Sequence, residues 1–205
     1  MTDGLGEEAR PIALGVLASG TGRTLANLQA AIEQGDLRAR IVLVAATRAD
    51  VPALARAREL RLPCAVVPSE PASTFDDRLD AALRGAGVEL VCLAGYLRRF
   101  RASGWRGRAV NIHPALLPRH GGRGMFGAHV HRAVLAAGDH ESGCTVHWVD
   151  DEYDRGEAIL QLRCPVERSD TPETLAERVF TLECTAYPRA ISIAAARIRG
   201  DAPTS

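Results

Sequence analysis

The sequence predicts an α/β protein with a doubly wound, mainly parallel sheet and an antiparallel edge strand. Three observations lead there. Short, near-continuous apolar runs in the first half alternate with segments of helical periodicity, and strands buried on both faces need not alternate polar with apolar. Two later runs, CTVHWV and ILQLRC, do alternate and follow one another across a short acidic stretch, as an antiparallel edge pair would. The 205 residues suffice for one core of this kind, and no repeat or low-complexity linker divides them.

The elements follow in order. IALGVL (12–17) is a buried strand, and SGTGRT (19–24) turns into a helix from Leu25 to Gln34 that stops at Gly35. IVLVAAT (41–47) is a second strand, followed by a helix from Ala53 to Arg61 and a short strand CAVV (64–67). Thr74 to Arg84 is helical, with Thr74 as its N-cap. LVCLAG (90–95) is a fourth strand. AVNIH (109–113), a helix from Ala128 to Ala137, CTVHWV (144–149), AILQLRCPV (158–166) and a long helix from Pro172 to Arg197 complete the chain. A single domain over 1–205 is expected, with flexible ends at 1–10 and 200–205.

Composition removes several classes of function. Net formal charge is zero, which argues against a nucleic-acid surface or a basic membrane patch. All 25 basic residues are arginine, so no lysine is available for Schiff-base chemistry. Cys64, Cys92, Cys144, Cys164 and Cys184 are scattered and odd in number, a pattern of reduced thiols in a cytoplasmic protein. The acidic N-terminus lacks the apolar core of a signal peptide, and no apolar run approaches the roughly 20 residues of a membrane span.

Ligands of open α/β sheets sit beyond the carboxyl ends of the strands, so the turns there are the places to search. The first, SGTGRT, offers two glycines and a helix N-terminus, which suit a phosphate or carboxylate; a capped tight turn fits it equally well. Leu25 stands where the dinucleotide fingerprint needs a third glycine. The second turn is NIHPALLP. Asn111 and His113 lie at i and i+2 as a strand ends, so both project to one face, and Pro114 and Pro118 stiffen the exit. An amide donor for an oxyanion and an imidazole that moves protons near neutral pH make carbonyl chemistry possible without a metal. His113, His120, His129 and His131 are close in sequence, but they lack H-E-x-x-H and a cysteine partner, so no metal is expected. The third turn holds Asp150, Asp151, Glu152 and Asp154. The residues alone do not say which carboxylate enters the site, and His147 just before them is a further candidate to face it.

SGTG, VCLAGYLRRF, NIHPALLP, GCTVHWVDDEYDRGEAILQ and ECTAYP, in this order and spread over most of the chain, resemble the phosphoribosylglycinamide formyltransferase family of purine synthesis. The resemblance implies a Rossmann-like formyltransferase fold. It also implies direct formyl transfer from 10-formyltetrahydrofolate, as co-substrate, to the glycinamide amine. By position, Asn111 would stabilise the oxyanion and His113 would protonate the departing folate nitrogen. Asp154, chosen from the four acids only by the resemblance, would order a water and keep His113 protonated. Gly22, Arg23 and Thr24 would hold the substrate phosphate, and Glu183 would contact the glycinamide substrate. Leu97, Arg98, Arg99, Phe100, Asn111 and Asp150 would border the folate. SGTGRTLANLQ reads as a lengthened first turn, and GGRGMFGAHVH (121–131) as a lengthened, mobile loop whose Arg123 is expected to neutralise substrate charge.

The partners expected are small molecules, with no nucleic acid and no membrane, for a cytoplasmic monomer or homodimer. Three relatives share the catalytic turn. A methionyl-tRNA formyltransferase is expected to carry a further RNA-binding domain, and a formyltetrahydrofolate hydrolase an N-terminal regulatory one. A sugar-nucleotide formyltransferase fits by length. A non-catalytic phosphate-binding module is the alternative from another class.

Overall fold

The computed structural model describes residues 10–200. Seven strands form one sheet: β1 (Ile12–Ala18), β2 (Ala39–Ala46), β3 (Cys64–Val66), β4 (Leu90–Ala94), β5 (Ala109–His113), β6 (Glu141–Trp148) and β7 (Ala158–Pro165). Five helices accompany them: α1 (Arg23–Glu33), α2 (Pro52–Glu59), α3 (Ala72–Gly85), α4 (Ala128–Ala136) and α5 (Pro172–Arg199). The strand order is β3-β2-β1-β4-β5-β6-β7. Pairing is parallel from β3 through β5, then antiparallel between β5 and β6 and again between β6 and β7. Only β6 therefore runs against the others, and the expected mixed sheet is found.

Both sheet faces are buried, which is why the strands read as continuous apolar runs. On β4, Leu90 and Cys92 belong to the core under α1, α2 and α5, while Val91 and Leu93 join Phe75, Leu79 and Leu83 of α3 on the other face. The Tyr187 hydroxyl of α5 donates to the carbonyls of Leu93 and Val110, fixing that helix over the centre of the sheet.

Three helix starts differ from expectation. The first turn is not lengthened: α1 begins at Arg23, directly after Gly22, so Thr24 to Asn27 are already helical. Gly22 adopts φ 80°, and a Cβ there would lie 3.0 Å from the Ala53 backbone, so a glycine is needed for both turn and packing. Thr74 lies within the first turn of α3 and is not its N-cap. Pro71 fixes an extended residue ahead of the helix, and the Glu70 carboxylate accepts from the Ala72 N–H. α2 starts at Pro52, whose missing N–H costs nothing at that position. At α5 the expected start holds, and Thr171 caps it through a reciprocal bond with Thr174.

The flexible ends expected at 1–10 and 200–205 fall outside the described residues except for Arg10 and Gly200. Arg10 pairs with Glu89, and Gly200 caps α5. All five cysteines are free, as expected.

The strand order reverses between β1 and β4. The SGTG turn (19–22) after β1 and the segment 95–100 after β4 thus flank a topological switch point. They are tied together, since the Leu97 N–H donates to the Ser19 hydroxyl.

Candidate active site

A cleft of about 1060 Å³ opens at this switch point, beyond the carboxyl ends of β1, β4 and β5. Asn111 and His113 enter it from β5 with the shared direction their spacing predicts. Asp154 comes from the loop after β6. It sits in left-handed backbone, φ 55°, a conformation aspartate tolerates better than most residues.

Asp154 is the hub of the cleft floor. Its Oδ2 accepts from the Gly122 N–H at 2.9 Å and lies 3.5 Å from Nδ1 of His113. Its Oδ1 accepts from the Asn111 amide at 3.3 Å and lies 3.4 Å from Nε2 of His147. Asn111, His113 and Asp154 are thus brought together, although they are up to 43 residues apart in sequence. His147 joins them. It stands directly across from Asn111 in the β5–β6 register, is 2% exposed, and its Nε2 is 3.1 Å from the Asn111 amide nitrogen. Of the four acids only Asp154 makes these contacts; Asp150 and Glu152 line the cleft wall.

The electrostatics modify one expectation. Burial lowers the His113 pKa, and it outweighs the Asp154 charge and the His120 carbonyl, which both raise it. The net direction is down, opposite to the shift that the Asp154 charge alone would give. Since Nε2 of His113 donates to the His120 carbonyl at 2.8 Å, the neutral ring leaves Nδ1 as its free nitrogen. Asp154 itself is desolvated, but its close contacts with His147 and His113 and the bond from the Gly122 N–H hold it below the usual carboxylate range. Burial pushes Glu183, at the cleft edge, up to about 7.

The other expected residues divide. Leu97, Arg98, Arg99, Phe100 and Asp150 all line the cleft, with Arg98 stacked 4.6 Å from the Phe75 ring centre. Thr24 and Glu183 line it as well. Arg23 turns away: it forms a bidentate pair with Glu177 and stacks 3.8 Å from the Phe180 ring centre. Gly22 is buried against α2 and serves the turn. Arg123 lies on the wall formed by residues 122–127. Among the described residues, no group of three or more His, Cys, Asp or Glu side chains is placed to hold a metal ion, and no helix is long and apolar enough to cross a membrane.

A half-buried amide donor, two buried imidazoles and one carboxylate on the floor of a partly apolar cleft define an acyl-transfer type of site. The formyl transferase family model matches residues 13–191. A phosphoribosylglycinamide formyltransferase of Haemophilus influenzae is 33% identical over 184 residues, covering 87% of this chain and 84% of that protein. The structure of a Coxiella burnetii phosphoribosylglycinamide formyltransferase superposes with a TM-score of 0.83 at 36% identity, covering 91% of this chain and 88% of that one. Glycinamide ribonucleotide transformylase 1 of Symbiobacterium toebii gives 0.84 at 35% identity, covering 94% and 90%. The trifunctional purine biosynthetic protein of Drosophila melanogaster is 40% identical over 190 residues, but the chain spans only 13% of its length. The chain belongs to the formyl transferase family, in its phosphoribosylglycinamide formyltransferase branch.

Proposed function

We propose that this chain transfers the formyl group of 10-formyltetrahydrofolate to the amine of glycinamide ribonucleotide, a step of purine biosynthesis, within the cytoplasm. The observation that carries the reading is the convergence of Asn111, His113 and Asp154 on the cleft floor, between a glycine turn and an apolar wall. The N-terminus of α1, with Thr24 in its first turn, suits the substrate phosphate. Leu97, Phe100, Met125 and Val149 suit the flat folate ring.

The amine nitrogen attacks the formyl carbon, and its electron pair forms the new C–N bond while the carbonyl oxygen becomes an oxyanion. The Asn111 N–H stabilises that oxygen. Nδ1 of neutral His113 takes the proton the amine releases, and Asp154 stabilises the imidazolium so formed. His113 then returns the proton to the folate nitrogen, whose bond to the formyl carbon breaks. Tetrahydrofolate leaves and the formylated glycinamide remains.

Loss of one oxyanion donor typically costs about a hundred- to a thousandfold in rate. Asn111→Ala should therefore lower kcat for glycinamide ribonucleotide by that order, with its KM little changed. Turnover within tenfold of wild type would exclude Asn111 from the role.

A further inference from the structure

Two groups on the cleft floor can only accept hydrogen bonds, and together they fix the state of a third. The Trp148 carbonyl lies 2.8 Å from Nδ1 of His147, so Nδ1 carries the proton. The Asp154 carboxylate lies 3.3 Å from the Asn111 side-chain nitrogen, so the nitrogen end of that amide faces the acid. The same nitrogen lies 3.1 Å from Nε2 of His147. Two donors cannot share that contact, which is shorter than the 3.4 Å from Nε2 to Oδ1 of Asp154, so Nε2 meets the amide as a bare lone pair.

We infer that His147 is a positioning residue that, in this tautomer, accepts one N–H of Asn111 and so aims the other at the formyl oxygen. The second N–H rests on Asp154 until the substrate oxygen takes it. This inference rests on the formyl-transfer reading and deepens it. The placement is rigid. His147 is buried directly across the β5–β6 ladder from Asn111, and Gly156 packs its backbone beside Nδ1, where an added Cβ would lie 1.8 Å from the Trp148 carbonyl oxygen.

Two variants and one spectrum test this. His147→Leu keeps bulk but removes the acceptor, and should lower kcat about ten- to a hundredfold, as loss of an orienting partner commonly does, without raising KM for glycinamide ribonucleotide. His147→Gln supplies an oxygen acceptor that does not titrate, and should recover most of that loss. Long-range proton–nitrogen spectra of the unliganded wild-type protein at pH 8 should show His147 with Nδ1 protonated and Nε2 bare. A proton on Nε2 at pH 8, wild-type kcat in His147→Leu, or a glutamine variant as slow as the leucine one would each overturn the inference. A wild-type protein inert toward glycinamide ribonucleotide would defeat the formyl-transfer reading alone, and the nitrogen spectra would still decide the tautomer.

Discussion

Asp154 and His113 shift each other in opposite directions, and the size of each pull has a consequence in the pH profile. Asp154 raises the His113 pKa, but burial lowers it more. Replacing Asp154 by Asn removes the raising charge and leaves the burial, so the ionisation of His113 must move further down. The limb of the kcat profile that reports His113 should therefore shift to lower pH in Asp154→Asn, along with a loss of rate. A limb that stays in place would mean that another group titrates there. At this scale the sequence was partly legible. The i, i+2 spacing and the prolines of NIHP marked Asn111 and His113 on physical grounds. Asp154 had three acidic neighbours and was separable only through resemblance, because which carboxylate turns inward depends on a left-handed backbone residue that no local pattern announces. His147 carried a weak signal. It alternates with Thr145 on the strand face turned toward Asn111 and His113, but its partner could be named only once the β5–β6 register was known.

The loop between β6 and β7 depends on close backbone approach more than on its charges. A Cβ at Gly156 would lie 1.8 Å from the Trp148 carbonyl oxygen, a backbone atom with little freedom to yield. Gly156→Ala should displace the segment that carries Asp154 and loosen the His147 contact. We expect a lower thermal midpoint together with a kcat loss of at least tenfold, read by calorimetry and by the transfer assay. At the other end of β7, Thr171 caps α5. Thr171→Ala should cost about 1 kcal/mol of stability and leave kcat unchanged, because the cap is remote from the cleft. Elements of this size were legible wherever hydrophobic periodicity was long. Helix starts set by neighbours were less so. Thr74 carries the right side chain for a cap, but Pro71 and Glu70 start α3 earlier. The apparent lengthening after SGTG was absorbed into α1, since nothing in RTLANLQ prevents helix from forming directly after Gly22.

Across the whole molecule, the buried titratable groups set opposing limits on stability. Glu183 has its pKa raised from the model-compound value of 4.5 to about 7 by burial, against the pull of Arg23. A carboxyl raised in the folded state contributes stability that is full below its unfolded value and is lost as pH rises through about 7. Glu183→Gln should therefore stabilise the protein at pH 8.5 by roughly 2 kcal/mol, given the solvent the carboxyl still meets, and by nothing near pH 4.5. His113 and His131 act the other way: burial lowers both, so their contribution is present above the unfolded histidine value and fades as pH falls below it. Denaturant midpoints against pH, for wild type and Glu183→Gln, check both directions. The doubly wound sheet was legible because its central strands are buried on both faces, and the antiparallel edge because β7 is half-exposed and its residues alternate. The switch point that locates the cleft follows from strand order, and sequence implies that order only through the alternation of strands and helices.

On the proposed function, the cleft joins a formyl carrier to the amine of glycinamide ribonucleotide. The direct measurement is tetrahydrofolate release from 10-formyltetrahydrofolate, with glycinamide ribonucleotide, a sugar-nucleotide amine, or water alone as acceptor. Rapid release is expected with glycinamide ribonucleotide, matched by an equal amount of formylated product, and little with the other two. Equal or faster release with the sugar-nucleotide amine, or release in water alone at the same rate, would contradict it.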